Sequence, residues 1–432
     1  MTVQTRPPMN AGQVAAAEGF FQFLLNDEKE MIINGPGGTG KTFLLGYLID
    51  TILPQYFETC AIMGIPAEYD EVVMTATTNQ AAEVLGVNTG RPAGTVHSFF
   101  NLKVTDDYKT GASLLSKTGA WVVHTKKIIF IDEYSLIDTP LWKMIHEGTC
   151  KCKIVYVGDH KQLAPIKEPI TPIVNQGLTS YELTESMRNA DQPELQALCA
   201  QLRDNVETKD FAPIRLVPGV IDHLTDEQME AELRSHFAVQ CDTSQIVAYT
   251  NDRVNEYNTF IREVRNLPAE FTVGEWLVSG SAVRIGKKPL SVGQEVYVSD
   301  QSPYTDQHLI DPGVELEVRS TTLTNKFGDD ITVPVPLDRN HYDSLVNYYR
   351  KAKNWNRYFY LKNNFPDLRQ RDAKTVHKAQ GISCDTIYID LGNLSTSRNP
   401  DQTARLFYVG VTRARQRIAF FGDLDPKYGS LY

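Results

Sequence analysis

Short apolar runs recur along this chain, and most of them end in a polar or glycine-rich turn that opens a helix. Met31-Ile32-Ile33 leads into Gly35-Pro36-Gly37-Gly38-Thr39-Gly40-Lys41-Thr42, after which Phe43-Leu44-Leu45-Gly46-Tyr47-Leu48-Ile49 continues at helical spacing until Pro54, where the helix is expected to stop. Glu71-Val72-Val73-Met74-Thr75-Ala76 runs into a polar turn and a helix over residues 77–85. Lys127-Ile128-Ile129-Phe130-Ile131 reads as a buried strand ending in Asp132-Glu133, and Lys153-Ile154-Val155-Tyr156-Val157 repeats the design before Gly158-Asp159. Strands alternating with helices predict a parallel α/β sheet, with ligand sites at the carboxyl ends of its strands. Ahead of these units, Asn10 is a good N-cap for a helix through Leu24 whose Phe20, Phe23 and Leu24 share one face.

Two segments break this rhythm. Leu102-Lys103-Val104 and the turn around Asp106 to Gly111 predict a hairpin inserted into the first α/β unit. A second α/β region begins near residue 187 and includes Gln245-Ile246-Val247-Ala248-Tyr249-Thr250 and strands near Ile387 and Ala419. Between about 283 and 368 it is interrupted by short strands with glycine and proline turns, a small β module. The expected organisation is therefore a first domain over 1–186 with its insertion at 96–120, and a second over 187–432 with its insertion at 283–368. The module ends in a basic, aromatic tract from Tyr348 to Arg371. It reads as an amphipathic helix whose aromatics pack on the module, with a nucleic-acid platform as the alternative.

Composition narrows the setting. The 432 residues are 42% apolar and 22% charged, with a net charge of -10. That balance suits a globular protein and excludes a constitutive nucleic-acid coat, although local patches still bind. No apolar run approaches the roughly 18 residues of a membrane span, and the N-terminus lacks the apolar core of a signal peptide. The six cysteines are scattered, and Cys150-Lys151-Cys152 has no second pair, so a zinc site is not expected and a reduced cytoplasmic setting suits them.

The chemistry centres on residues 35–42, which fit the phosphate-loop pattern at every fixed position, between a strand and a helix. Glycines let the backbone turn its N–H groups on phosphate oxygens, and the helix start adds partial positive charge. Lys41 would reach the β- and γ-phosphates, and the Thr42 hydroxyl would bind Mg²⁺. Asp132 is assigned to the same metal and Glu133 to the general base that orients the attacking water. Gln162, in Gly158-Asp159-His160-Lys161-Gln162-Leu163, can bond the γ-phosphate and report its loss. A guanine-binding switch would need Asn-Lys-x-Asp; Asn325-Lys326-Phe327-Gly328 carries Gly where Asp is required.

Taken in order, the phosphate loop, Thr77-Thr78-Asn79, Thr95-Val96-His97-Ser98, Asp132-Glu133-Tyr134-Ser135 and Gly158-Asp159-x-Lys161-Gln162-Leu163 resemble motifs I to III of superfamily 1 helicases. Leu183-Thr184-Glu185-Ser186-Met187-Arg188, Thr375-Val376-His377-Lys378-Ala379-Gln380-Gly381 and Leu406-Phe407-Tyr408-Val409-Gly410-Val411-Thr412-Arg413 resemble motifs IV to VI. The form of motif V and the chain length are most similar to the Dda-type helicases of tailed phages, in the RecD-like branch.

The resemblance implies two RecA-like P-loop domains with ATP between them, a pin insertion in the first and an SH3-like β-barrel insertion in the second. It implies that Arg188 and Arg413 reach the γ-phosphate across the cleft, with Arg415 structural. It places Gln13 at the adenine, where spacing alone makes it an exposed helix residue, and Gln380 and Gly381 at the nucleotide. Thr77, Asn79, Thr95, His97, Thr375 and His377 would line a single-strand channel, and Tyr108 could be the wedge of the pin. The implied activity is ATP-dependent DNA unwinding, 5′ to 3′, by a monomer in the cytoplasm of a bacterial host. The partners would be single-stranded and forked DNA, with single-strand-binding or replisome proteins as companions. Opposite polarity, or stripping of proteins from DNA, stays open as an alternative.

Overall fold

Alternation along the strands decides how the first sheet is buried. Met31 and Ile33 face one side with Ile128, Phe130, Val155 and Val157, against the helix Ala11–Leu25. Ile32, Ile129, Ile131, Ile154 and Tyr156 face the other. A strand covered on both faces needs no polar positions, which is why these runs are apolar throughout. A computed structural model of the chain describes residues 8–187, 191–283 and 290–432.

The first sheet is wholly parallel, in the order Thr179–Glu182, Glu30–Asn34, Lys153–Gly158, Lys127–Asp132, Glu71–Ala76, Ala93–Thr95. Lys153–Gly158 lies between the phosphate-loop strand and the acid-bearing strand. The loop after Gly158 is thereby set between phosphate loop and acids. The second sheet is also parallel, in the order Ile221–Leu224, Ala414–Phe421, Cys384–Asp390, Ser244–Ala248, Ala373–Thr375. Together they make the expected pair of RecA-like sheets.

Between Ser244–Ala248 and Ala373–Thr375 the chain builds a curled antiparallel sheet from Trp276–Ser279 to Leu368–Gln370, starting earlier than the pattern from residue 283 suggested. Pro334 and Pro336 lie in Asp330–Pro336, which among the described residues pairs only with Val314–Asn325, so the missing N–H groups cost no ladder on the free side. The aromatic tract folds into the helices Arg339–Lys351 and Trp355–Asn364. Tyr342, Tyr349, Leu361 and Phe365 are buried against Ile310, Leu316 and Val318 of the module, the packing role expected for them.

Pro54 does not end its helix. The chain passes from Lys41–Tyr47 through a wide turn at Leu48–Ile52 into Leu53–Met63, and Gly64 closes it with φ 69°. Leu53 N–H bonds Leu48 O one residue further back than in an α-helix. Pro54 then falls in the first turn of the new segment, where no N–H is needed. The hairpin is formed by Leu102–Asp106 and Ser113–Lys117 in antiparallel register. Among the described residues no helix is long and apolar enough to cross a membrane.

Candidate ATP cleft and nucleic-acid channel

The phosphate loop is anchored through Asn34, at the end of its strand. The Asn34 amide oxygen accepts from Tyr134 Oη at 3.0 Å and His160 N at 3.1 Å, and its nitrogen donates to Glu182 at 2.7 Å. Gly35 is held where a Cβ would stand 2.6 Å from Leu183 O, so the sequence needs glycine there. Lys41 Nζ donates to the Gly35 and Pro36 carbonyls at 2.7 and 2.9 Å, which keeps its ammonium at the loop mouth. Met187 N donates to Gly38 O at 2.7 Å, which brings the motif IV segment onto the loop. Arg188 itself lies outside the described residues. A cavity of about 510 Å³ opens here, bounded by Pro36 and Gly37 on one side and by Arg203 and Thr412 on the other.

Gln13 is buried rather than exposed, at 4% accessibility. Its oxygen accepts from Asn10 N at 3.1 Å in a capping box, and its Nε2 donates to Thr39 O at 3.1 Å. The side chain thus supports Thr39 and Gly40 from behind the loop.

Asp132 and Glu133 stand at the end of the strand two places from the loop. Burial and the neighbouring Glu133 push the Asp132 carboxyl up to about 7, against the pull of Lys41 and of the Glu133 amide. Its Oδ1 accepts from that amide at 2.9 Å. Glu133 has φ 55°, a left-handed conformation that costs a side-chain-bearing residue roughly 1–3 kcal/mol. Among the described residues no three metal-ligating side chains gather. One hard carboxylate and one hydroxyl, Asp132 and Thr42, suit an Mg²⁺ that takes its remaining ligands from phosphate and water.

Contacts from the second domain meet the loop after Gly158, in a network that motif matching did not assign. Arg405 Nη1 donates to His160 O at 2.7 Å and to Gln162 O at 2.6 Å. Tyr408 Oη donates to buried Asp159 at 2.6 Å, and Lys161 pairs with Glu207 at 2.7 Å. Arg405 and Tyr408 are three residues apart on the helix Pro400–Val411, and that spacing was the available signal. Gln162 is buried with its amide oxygen unpartnered. Arg413 is buried too, folded onto its own helix end, with Nε on Val409 O at 3.1 Å and Nη2 on Thr412 Oγ1 at 2.8 Å. Burial pulls its guanidinium below its ordinary value, and the charge of Glu133 opposes that shift.

The expected strand-binding residues divide into two groups. Asn79 and His97 line a cavity of about 950 Å³ under the hairpin, with Tyr108, Phe359 and Arg369. Asn79, Thr375 and His377 line a second, of about 190 Å³, which reaches Glu133, Gln380 and Gly381. Gln380 and Gly381, expected at the nucleotide, line this second cavity beside Glu133 and not the cavity at the phosphate loop. Thr77 and Thr95 line neither cavity. Thr77 Oγ1 donates to Glu133 O at 3.1 Å, so its proton is committed, and Thr95 Oγ1 accepts from Ser98 N as a helix cap. Burial holds the His97 imidazole below its ordinary value, so it presents a neutral ring. Asn79 Nδ2 also donates to Val292 O of the β module at 3.2 Å. At the hairpin tip Tyr108 is half exposed and meets Phe359 edge-on at 5.1 Å, so it is not a free wedge.

Residues 8–215 match the AAA domain family, and residues 372–420 match the UvrD-like helicase C-terminal domain. The chain is 25% identical to the ATP-dependent DNA helicase dda of Enterobacteria phage T4, over 95% of this chain and 99% of that protein. Among solved structures it is similar to the Pif1 helicase from Bacteroides in complex with ADP-AlF3 and ssDNA, with TM-score 0.53 and 14% identity over 98% of this chain and 95% of the other. A Pif1 structure described for DNA unwinding at forked dsDNA gives TM-score 0.54 and 16% identity over 98% and 94%. With its motifs in order on this fold and relatives along its length, the chain resembles the superfamily 1 helicases, Dda among them.

Proposed function

We propose that this chain is an ATP-dependent DNA helicase that moves 5′ to 3′ on single-stranded DNA and separates duplex strands. The observation that carries the reading is a shared joint. The phosphate loop and acids meet second-domain residues across one cleft, and a channel lined from both domains opens over that joint. The similarity to an ATP-dependent DNA helicase supports it.

ATP binds with its phosphates on the N–H groups of residues 35–42, with Lys41 swinging from its carbonyl partners to the β- and γ-phosphates. Thr42 and Asp132 would hold Mg²⁺, which would supply neutralisation of phosphate charge. Gln162 contacts the γ-phosphate, and Arg188 and Arg413 come to it from the second domain. Such arginines raise phosphoryl-transfer rates by roughly 10³–10⁵-fold. Because Arg405 grips the backbone of the Gln162 loop, a change at the γ-phosphate is transmitted to the second domain as rotation of one body on the other. Asn79, His97, Thr375 and His377 hold the strand weakly, which lets each domain release and rebind in turn. The hairpin stands at the channel mouth and divides the fork, which favours strand separation over mere protein removal.

The site roles, the domain limits at 186 and 187, action as a monomer beside single-strand-binding or replisome proteins, and a host cytoplasmic setting all belong to this reading. ATP hydrolysis with and without oligothymidylate tests it. Wild type is stimulated by the oligonucleotide. Lys41→Ala abolishes turnover with the fold intact, and Arg413→Ala loses turnover far more than ATP binding. Turnover near wild type in Lys41→Ala, or equal losses of binding and turnover in Arg413→Ala, would contradict the site.

A further inference from the structure

Glu133 is held at all three of its polar groups. Its N–H is on Asp132 Oδ1 at 2.9 Å, its C=O accepts from Thr77 Oγ1 at 3.1 Å, and its carboxylate Oε2 accepts from Gln380 Nε2 at 3.2 Å. The first two partners belong to its own domain, but Gln380 belongs to the other. The strained backbone of Glu133 turns its carbonyl to Thr77 and leaves its side chain at the floor of the channel cavity.

Gln380 has a second property. Its amide oxygen is buried and has no partner. A primary amide that donates to the base and keeps a free acceptor beside it can take one proton of a water whose other proton points to Glu133. The oxygen lone pair of that water is then left to face phosphorus.

The segment that carries Gln380 also lines the channel. Ala379 N bonds Thr375 O at 2.9 Å and Lys378 N bonds Thr375 Oγ1 at 3.3 Å, so residues 375–380 form one tight turn. His377 stands exposed in the channel on this turn, and Thr375 begins it. A strand seated against His377 therefore bears on Gln380 through a few rigid bonds.

We infer that Gln380 is the positioning residue through which the second domain, and the strand it holds, set the general base Glu133 and its water. In the step it governs, water oxygen bonds to the γ-phosphorus and its proton passes to Glu133. The γ-phosphorus–bridging-oxygen bond breaks, with its electron pair leaving on ADP. The inference deepens the ATPase reading above and rests on it.

Single-turnover ATP hydrolysis by the full chain, with oligothymidylate present, tests it in two backgrounds. Gln380→Ala lowers the chemical rate about tenfold, while KM for ATP and affinity for the oligonucleotide stay within about twofold. Placed in the Glu133→Gln background, the same change causes no further loss, because it acts through the group already removed. Gln380→Glu keeps the size of the side chain but repels Glu133, and it shows the same loss if Gln380→Ala melts at lower temperature. Equal losses in both backgrounds, a raised KM with the rate unchanged, or an unchanged rate in Gln380→Glu would each overturn the inference. Full activity in Glu133→Gln alone would instead overturn the general-base reading beneath it.

Discussion

Single residues in the cleft are held in states that favour chemistry over stability. Asp132 illustrates this. Its carboxyl is raised from 3.8 to about 7, chiefly by burial and then by Glu133. Between those values the folded chain holds a proton that the unfolded chain has released. The contribution of this group is fully present at low pH and is lost as pH rises through that window. Asp132→Asn should therefore melt at least about 2 °C above wild type at pH 8 in EDTA, with the gap closing toward pH 4. Mg²⁺ should stabilise wild type but not the variant. A variant that melts below wild type at pH 8 would show that burial does not strain the carboxylate. At this scale position was legible in sequence for Lys41, Thr42, Asp132 and Glu133, which the structure sets at the loop and at the end of a buried strand. It was not legible for Thr77 or Gln13. A hydroxyl or amide suits many partners, and only the fold shows that these two bond Glu133 O and Thr39 O.

At the scale of elements, the hairpin and the aromatic helix explain each other. Gly111 at the hairpin turn has φ 74°, and a Cβ there would lie 2.5 Å from the Trp355 ring. Asn363 Nδ2 donates to Asp106 at 3.1 Å, and Tyr108 packs on Phe359. An antiparallel ribbon of two five-residue strands is marginal alone. Here its tip is clamped by the helix Trp355–Asn364, which is fixed to the β module. The clamp stiffens the hairpin tip. Trp355→Ala should lower strand separation severalfold while ATP hydrolysis on oligothymidylate stays near wild type, measured on one preparation. Equal loss of both would assign Trp355 to general stability. The sequence showed both elements but not their contact, because they lie far apart in the chain and periodicity reports only local structure. Pro54 misled for a related reason. A proline ends a regular α-helix, but the wide turn before it removes the clash.

At the scale of the molecule, two parallel sheets meet over one cleft, and under the proposed function neither has a complete site. The first supplies the phosphate loop, Asp132, Glu133 and Gln162. The second supplies Arg413, and Arg405, Tyr408 and Gln380 that grip the first. The motif order made the two-domain plan legible, but the gripping contacts depend on how the domains dock, which no single stretch encodes. Under that reading a split site would turn over only as the domains move, and movement with a strand in the channel would be translocation. Strand separation on two duplexes, identical except for a 5′ or a 3′ single-stranded tail, tests this most directly in the presence of ATP and Mg²⁺. ATP-dependent separation of the 5′-tailed duplex, and little of the other, is expected. Separation of neither duplex, or of the 3′-tailed one alone, would contradict it.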